Sequence, residues 1–196
     1  ISMLGLLMSV SDITEAAEEK KAFLSSQFSD AYRSYTEAKN NGNKPEIHRY
    51  AMQALLLGEV VYGENHKNTA ALTMNAALSY PTGWQGMPRA DSLGLIRKLV
   101  SRYESLFGPE SADIVEPLLL LAEVLFAEGL VTNEDESRRQ TRKRIENAEE
   151  ELNQVSDRIV KLLTEFNEEF DTGAVLTKLS RLRIGKSKEM ALTALE

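Results

Sequence analysis

The sequence predicts an all-α fold built from helical hairpins that stack as a repeat, an α-solenoid of about three helix pairs plus a terminal helix. Three observations carry this expectation. Apolar residues recur at three- and four-residue spacing along most of the chain, and strand-like alternation is nowhere sustained. The 5 prolines and 11 glycines gather at a few places that punctuate those stretches. Two segments superpose without gaps at an offset of 45 residues, the distance from Gly63 to Gly108.

The periodicity places helices at 12–40, 46–62, 67–80, 90–107, 112–128, 137–169 and 174–194. Their connectors are Asn40–Pro45, Gly63–Asn65, Pro81–Pro88, Gly108–Glu110 and Gly129–Asp135. Turns this short make successive helices antiparallel neighbours. With 196 residues, 42% of them hydrophobic, the chain is long enough to bury a core, and a single domain over 1–196 is expected.

The repeat aligns Tyr62–Tyr80 with Phe107–Leu125. In each copy an amphipathic helix ends in an aromatic residue, a glycine turn follows, and Asn68 or Asp113 is expected to cap the next helix. Both glycines are expected in backbone conformations that other residues avoid. A lone helix pair exposes one apolar face, so pairs must stack to bury it. Leu72, Ala76, Ala77 and Tyr80 are expected to face neighbouring helices, as are Leu118, Leu121, Ala122 and Leu125.

The residues of the first copy resemble a known family. Gly63, His66, Thr69, Ala70, Asn75, Ala77 and Tyr80 fall in step with the inter-repeat turn and first helix of tetratricopeptide repeats of the kinesin-light-chain kind. Ala54 sits where that family prefers alanine in its second helix. The second copy keeps Gly108, Leu121 and Ala122, but has Leu120 in place of Asn75 and Leu125 in place of the tyrosine. The resemblance is clearest over 46–129, and it implies a scaffold that binds a protein or peptide in a concave helical groove. It further implies that Asn75 faces that groove, where a carboxamide, both donor and acceptor, suits an extended peptide backbone. Met74 and Leu78 flank Asn75 and are expected to offer apolar contact.

From 137 onward the pattern changes. Ile145, Ala148, Leu152, Val155, Ile159, Leu162 and Phe166 occupy successive a and d positions of a heptad. The stripe is expected to lie against the preceding helix pair, leaving a monomer. The alternative is a structural or self-associating subunit joined through 145–166. Val175, Leu176, Leu179 and Leu182, and later Met190, Ala191 and Leu195, share one side of the last stretch, which reads as a terminal helix over 174–194 or the start of a further repeat.

Composition narrows the chemistry. There are 30 acidic and 23 basic side chains, for a formal net charge of −7, which argues against nucleic acid as a partner. No cysteine is present, so thiolate metal sites and cysteine nucleophiles are excluded. The 2 histidines, His48 and His66, stand too far apart for a metal pair one helical turn apart, and His66 is expected to be structural. No phosphate-binding loop, dinucleotide fingerprint or nucleophile elbow occurs. No catalytic residue, metal site or cofactor is therefore expected, and the chain is read as a non-enzyme.

Three features carry alternatives. Two basic clusters, Arg138, Arg139, Arg142, Lys143 and Arg144, then Lys178, Arg181, Arg183, Lys186 and Lys188, read as exposed helix charge, with phosphate or an acidic peptide as the other possibility. Trp84, between glycines and prolines, either folds over a helix end or stands as a partner anchor. Ile1–Val10 is apolar but too short to span a bilayer. It reads as an apolar helix start, or as the remnant of a secretory leader, so the compartment is cytoplasmic on one reading and periplasmic or secreted on the other.

Overall fold

The computed structural model describes residues 10–80, 92–130, 137–166 and 171–193, without the side chains of 10–14, 129–130 and 183–193. Among the described residues there are seven α-helices and no strand. They are α1 (Val10–Asn41), α2 (Lys44–Tyr62), α3 (Lys67–Leu78), α4 (Leu93–Phe107), α5 (Val115–Leu130), α6 (Arg138–Glu165) and α7 (Thr172–Thr193), with a 3-10 turn over Ala112–Ile114 before α5. Every expected helix is present. The expected start at 112 is that 3-10 turn, and the long helix ends at Glu165 with Phe166 as its C-cap. The chain divides into two compact units, 1–72 and 73–196, with the division inside α3.

In the first unit, α1 packs along α2. Ala31, Tyr35 and Ala38 of α1 are buried, as are Ala51, Ala54, Leu55 and Gly58 of α2. The alanines and Gly58 are small, which lets two helix backbones approach closely. Gly58 also leaves room for a side chain of α3, since a β-carbon there would stand 2.3 Å from Leu72 Cδ1. The join between the helices is a Schellman arrangement, with Asn43 N–H donating to Ala38 O at 3.1 Å and Gly42 N–H to Lys39 O at 3.2 Å. Pro45 follows in the first turn of α2, where its missing N–H has no intrahelical acceptor to lose.

In the second unit, α4, α6 and α7 all pack on α5. The sequence of α5 dictates this place. Val115, Leu118, Leu120, Leu121, Ala122, Val124, Leu125 and Phe126 are all buried, and a helix apolar on nearly every side must be surrounded. Ile96, Leu99 and Val100 of α4 meet it from one side, and Leu179 and Leu182 of α7 join the same core.

The heptad stripe of α6 completes it. Ala148, Leu152, Val155, Ile159 and Leu162 are buried, and Phe166 packs against the cluster. The stripe is therefore covered within its own unit. Each fully covered leucine or isoleucine in this core contributes about 1.5–3 kcal/mol of transfer free energy. Buried polar groups are paired. Arg102, 4% exposed, donates through Nη1 to Thr73 Oγ1 at 2.5 Å, and the Ser156 hydroxyl donates to Leu152 O at 2.7 Å.

Candidate functional site

Two inter-helix turns of the repeat have the same backbone. Gly63 has φ 91°, ψ 158°, and Gly108 has φ 92°, ψ 152°. This region is open in practice to glycine alone. In each turn the glycine N–H closes the preceding helix, onto Glu59 O at 3.1 Å in one and Glu104 O at 2.9 Å in the other. Glu59 and Glu104 are themselves one repeat apart, so the equivalence extends to hydrogen-bond partners.

The caps that open the next helices are also equivalent, but they are not the residues expected from sequence. His66 Nδ1 accepts from the Asn68 N–H at 3.1 Å, and Ser111 Oγ accepts from the Asp113 N–H at 3.2 Å. The capping residue therefore stands two positions earlier than Asn68 or Asp113, which contribute their backbone donors. The reason is geometric, because an N-cap side chain must reach an N–H two or three residues ahead of itself. His66 also stacks on Tyr62, ring centroids 5.4 Å apart and planes 16° apart, and Thr69 Oγ1 donates to Gly63 O at 2.7 Å.

The helix that follows the first turn, α3, carries the expected binding residues. Asn75 is half-buried, and its carboxamide makes no hydrogen bond among the described residues. Leu78 is 56% exposed, and Met74 lies in the core of the second unit. Ala77 is buried there with Leu118, Leu121, Ala122 and Leu125, and Ala76 and Leu72 are buried too. Tyr80 is half-buried.

A concavity lies where α4, α5 and α6 meet, a cleft of about 400 Å³. Its floor is Leu93, Leu125 and Ala148, and its walls carry Arg97, Glu128, Lys143, Arg144 and Glu151. The charges largely answer one another. Arg97 grips Glu151 with two hydrogen bonds, one from Nε at 3.1 Å, and that bonding holds the guanidinium above its ordinary pKa against the opposing effect of burial. Arg144 donates to the backbone carbonyl of Glu128 and lies 3.4 Å from its carboxylate. Partners 54 and 16 residues apart in the chain leave no periodic signal, so sequence reasoning did not find this cleft.

Of the remaining expectations, the first basic cluster sits at the start of α6, where Arg142 pairs with Glu146 at 2.8 Å and Arg144 turns inward to Glu128. Lys178 of the second cluster pairs with Glu123 at 2.7 Å, while the side chains of Arg183, Lys186 and Lys188 lie outside the described residues. So do Pro81–Pro88 with Trp84, and residues 1–9. Among the described residues no helix is long and apolar enough to cross a membrane, and no three His, Asp or Glu side chains come together as metal ligands. Compared with models of protein families, with curated proteins and with solved structures, the chain finds no match.

Proposed function

We propose that the chain is a tetratricopeptide-type scaffold, an α-solenoid that binds a protein or peptide through a groove lined by the exposed side of α3. The single observation that carries the reading is the pair of glycine turns, alike in backbone, helix-closing bond and cap although only part of their side-chain sequence is shared. Repeated turns of one geometry are what stacked helix pairs require. Asn75 offers a donor and an acceptor that make no hydrogen bond among the described residues, and Leu78 nearby offers apolar surface. Met74, next in the chain to Asn75, is turned into the core and offers the groove little surface.

The test is affinity capture from the native host with the wild-type chain and with Asn75→Ala and Leu78→Asp variants, each checked for unchanged helicity. The expected result is a partner, confirmed by direct binding of the purified components, whose affinity falls at least about tenfold in either variant. A partner held equally by all three chains would place the interface elsewhere and end the groove assignment.

A further inference from the structure

We infer that His66 makes the start of α3 a pH-sensitive helix cap, intact when the imidazole is neutral and released when it is protonated. The inference stands apart from the scaffold reading and rests on the turn alone. Nδ1 accepts the Asn68 N–H at 3.1 Å, which requires the tautomer with its proton on Nε2. A protonated imidazole has two donors and no acceptor, so it cannot make this bond. It also places a positive charge at a helix N-terminus, where the helix dipole is already positive. Both effects have the same sign: the cap is present at higher pH and lost as pH falls.

Stacking on Tyr62 favours the charged ring and offsets the loss in part, but it restores no acceptor for the Asn68 N–H. Tyr62 of α2 lies against the ring face, with Phe28 of α1 edge-on behind it at 5.3 Å. The charged neighbours, Glu64 and Lys67, are both exposed and opposite in sign. The second turn provides an internal control, because Ser111 Oγ makes the equivalent bond to the Asp113 N–H and a hydroxyl does not titrate. One turn of the repeat thus responds to pH where its twin does not.

Backbone amide NMR of the whole chain between pH 8 and pH 5 tests this, with His66→Ser and His66→Asn as non-titrating caps and His48→Gln to remove the other histidine. As the His66 ring protonates, the Asn68 amide resonance should move with it. Exchange of that amide, relative to its intrinsic rate, should rise about fivefold, the factor equivalent to a typical cap contribution of ~1 kcal/mol. Asp113 should stay unchanged, both His66 variants should lose the Asn68 response, and His48→Gln should keep it. An Asn68 amide that remains bonded and protected through the His66 titration would overturn the inference. So would an equal pH response in His66→Ser and His66→Asn.

Discussion

The turn at Gly63 and the turn at Gly108 share a backbone but are held in different ways. The first is supported by Thr69 Oγ1, tied to Gly63 O, and by His66 stacked on Tyr62, which itself meets Phe28 of α1 edge-on. The second is also clamped from a distant helix. Arg158 of α6 donates to Pro109 O at 2.7 Å and to Glu104 at 2.5 Å, and Lys161 reaches Glu110 at 2.6 Å. Gly58 leaves room for Leu72 in the first copy, and the same two positions hold Tyr103 and Pro117 in the second. One backbone geometry is therefore reached with different sets of supporting contacts.

The largest effect on this comparison should come from removing the clamp's platform. Leu152→Glu puts a charge into the buried stripe of α6, and an unpaired buried charge costs several kcal/mol. Loss of cooperative unfolding, followed by circular dichroism and sedimentation, is the expected result. A well-folded monomer derived from a wild-type dimer would instead show the stripe to be an intermolecular seam.

Next in size is Leu121→Ala, which imposes on the second copy the residue that Ala76 already is in the first. Leu121 is 5% exposed, and its truncation should cost about 2–5 kcal/mol in denaturant unfolding. A loss below about 1 kcal/mol would show that α5 is not packed as described.

Gly63→Ala and Gly108→Ala sharpen the comparison, because a β-carbon at either glycine meets nothing within 4 Å. The cost is then backbone strain alone, about 1–3 kcal/mol at each. Equal losses would show that the clamp leaves the turn's conformation unaltered, and a markedly larger loss at Gly108 would show that α6 forbids it to relax.

Arg158→Met removes the clamp itself. Its ion pair with Glu104 is about a third exposed on both sides, so the loss should be only ~0.5–1 kcal/mol, smaller at high salt. The smallest effect is that of Glu110 and Lys161, which are fully exposed. Hydrogen bonding from Lys161, and then its charge, holds the Glu110 carboxyl below the ordinary carboxylate range, and the same bond holds Lys161 above its own. The lowered carboxyl contributes above its unfolded pKa and loses that contribution as pH falls through the folded value. The raised amine contributes below its unfolded pKa and loses its contribution only as pH rises through its raised folded value. Glu110→Gln should flatten a shallow acid limb in the pH dependence of stability and leave neutral and mildly alkaline pH otherwise similar.

Much of the fold is legible in the chain because its signals are local. Apolar spacing marks each helix, the 45-residue offset marks both glycine turns, and the heptad from Ile145 to Phe166 marks the face that α6 buries. Local reasoning misplaced the caps, since an imidazole nitrogen is an uncommon cap acceptor at His66, and Ser111 and Asp113 are equally good cap residues two positions apart. It also named Met74 beside Asn75 as a groove residue without revealing that its side chain belongs to the core.

By itself the sequence determined the helices, their order and the two glycine conformations, since periodicity, chain reversal and the cost of positive φ depend on residues close together in the chain. Tertiary structure alone decided that α5 is the helix the others surround, that Arg97 meets Glu151, and that Arg158 and Lys161 reach back to the Gly108 turn. Those pairings join residues about fifty positions apart. Their free energy depends on where packing has already brought two helices, and no pattern within either helix encodes its partner.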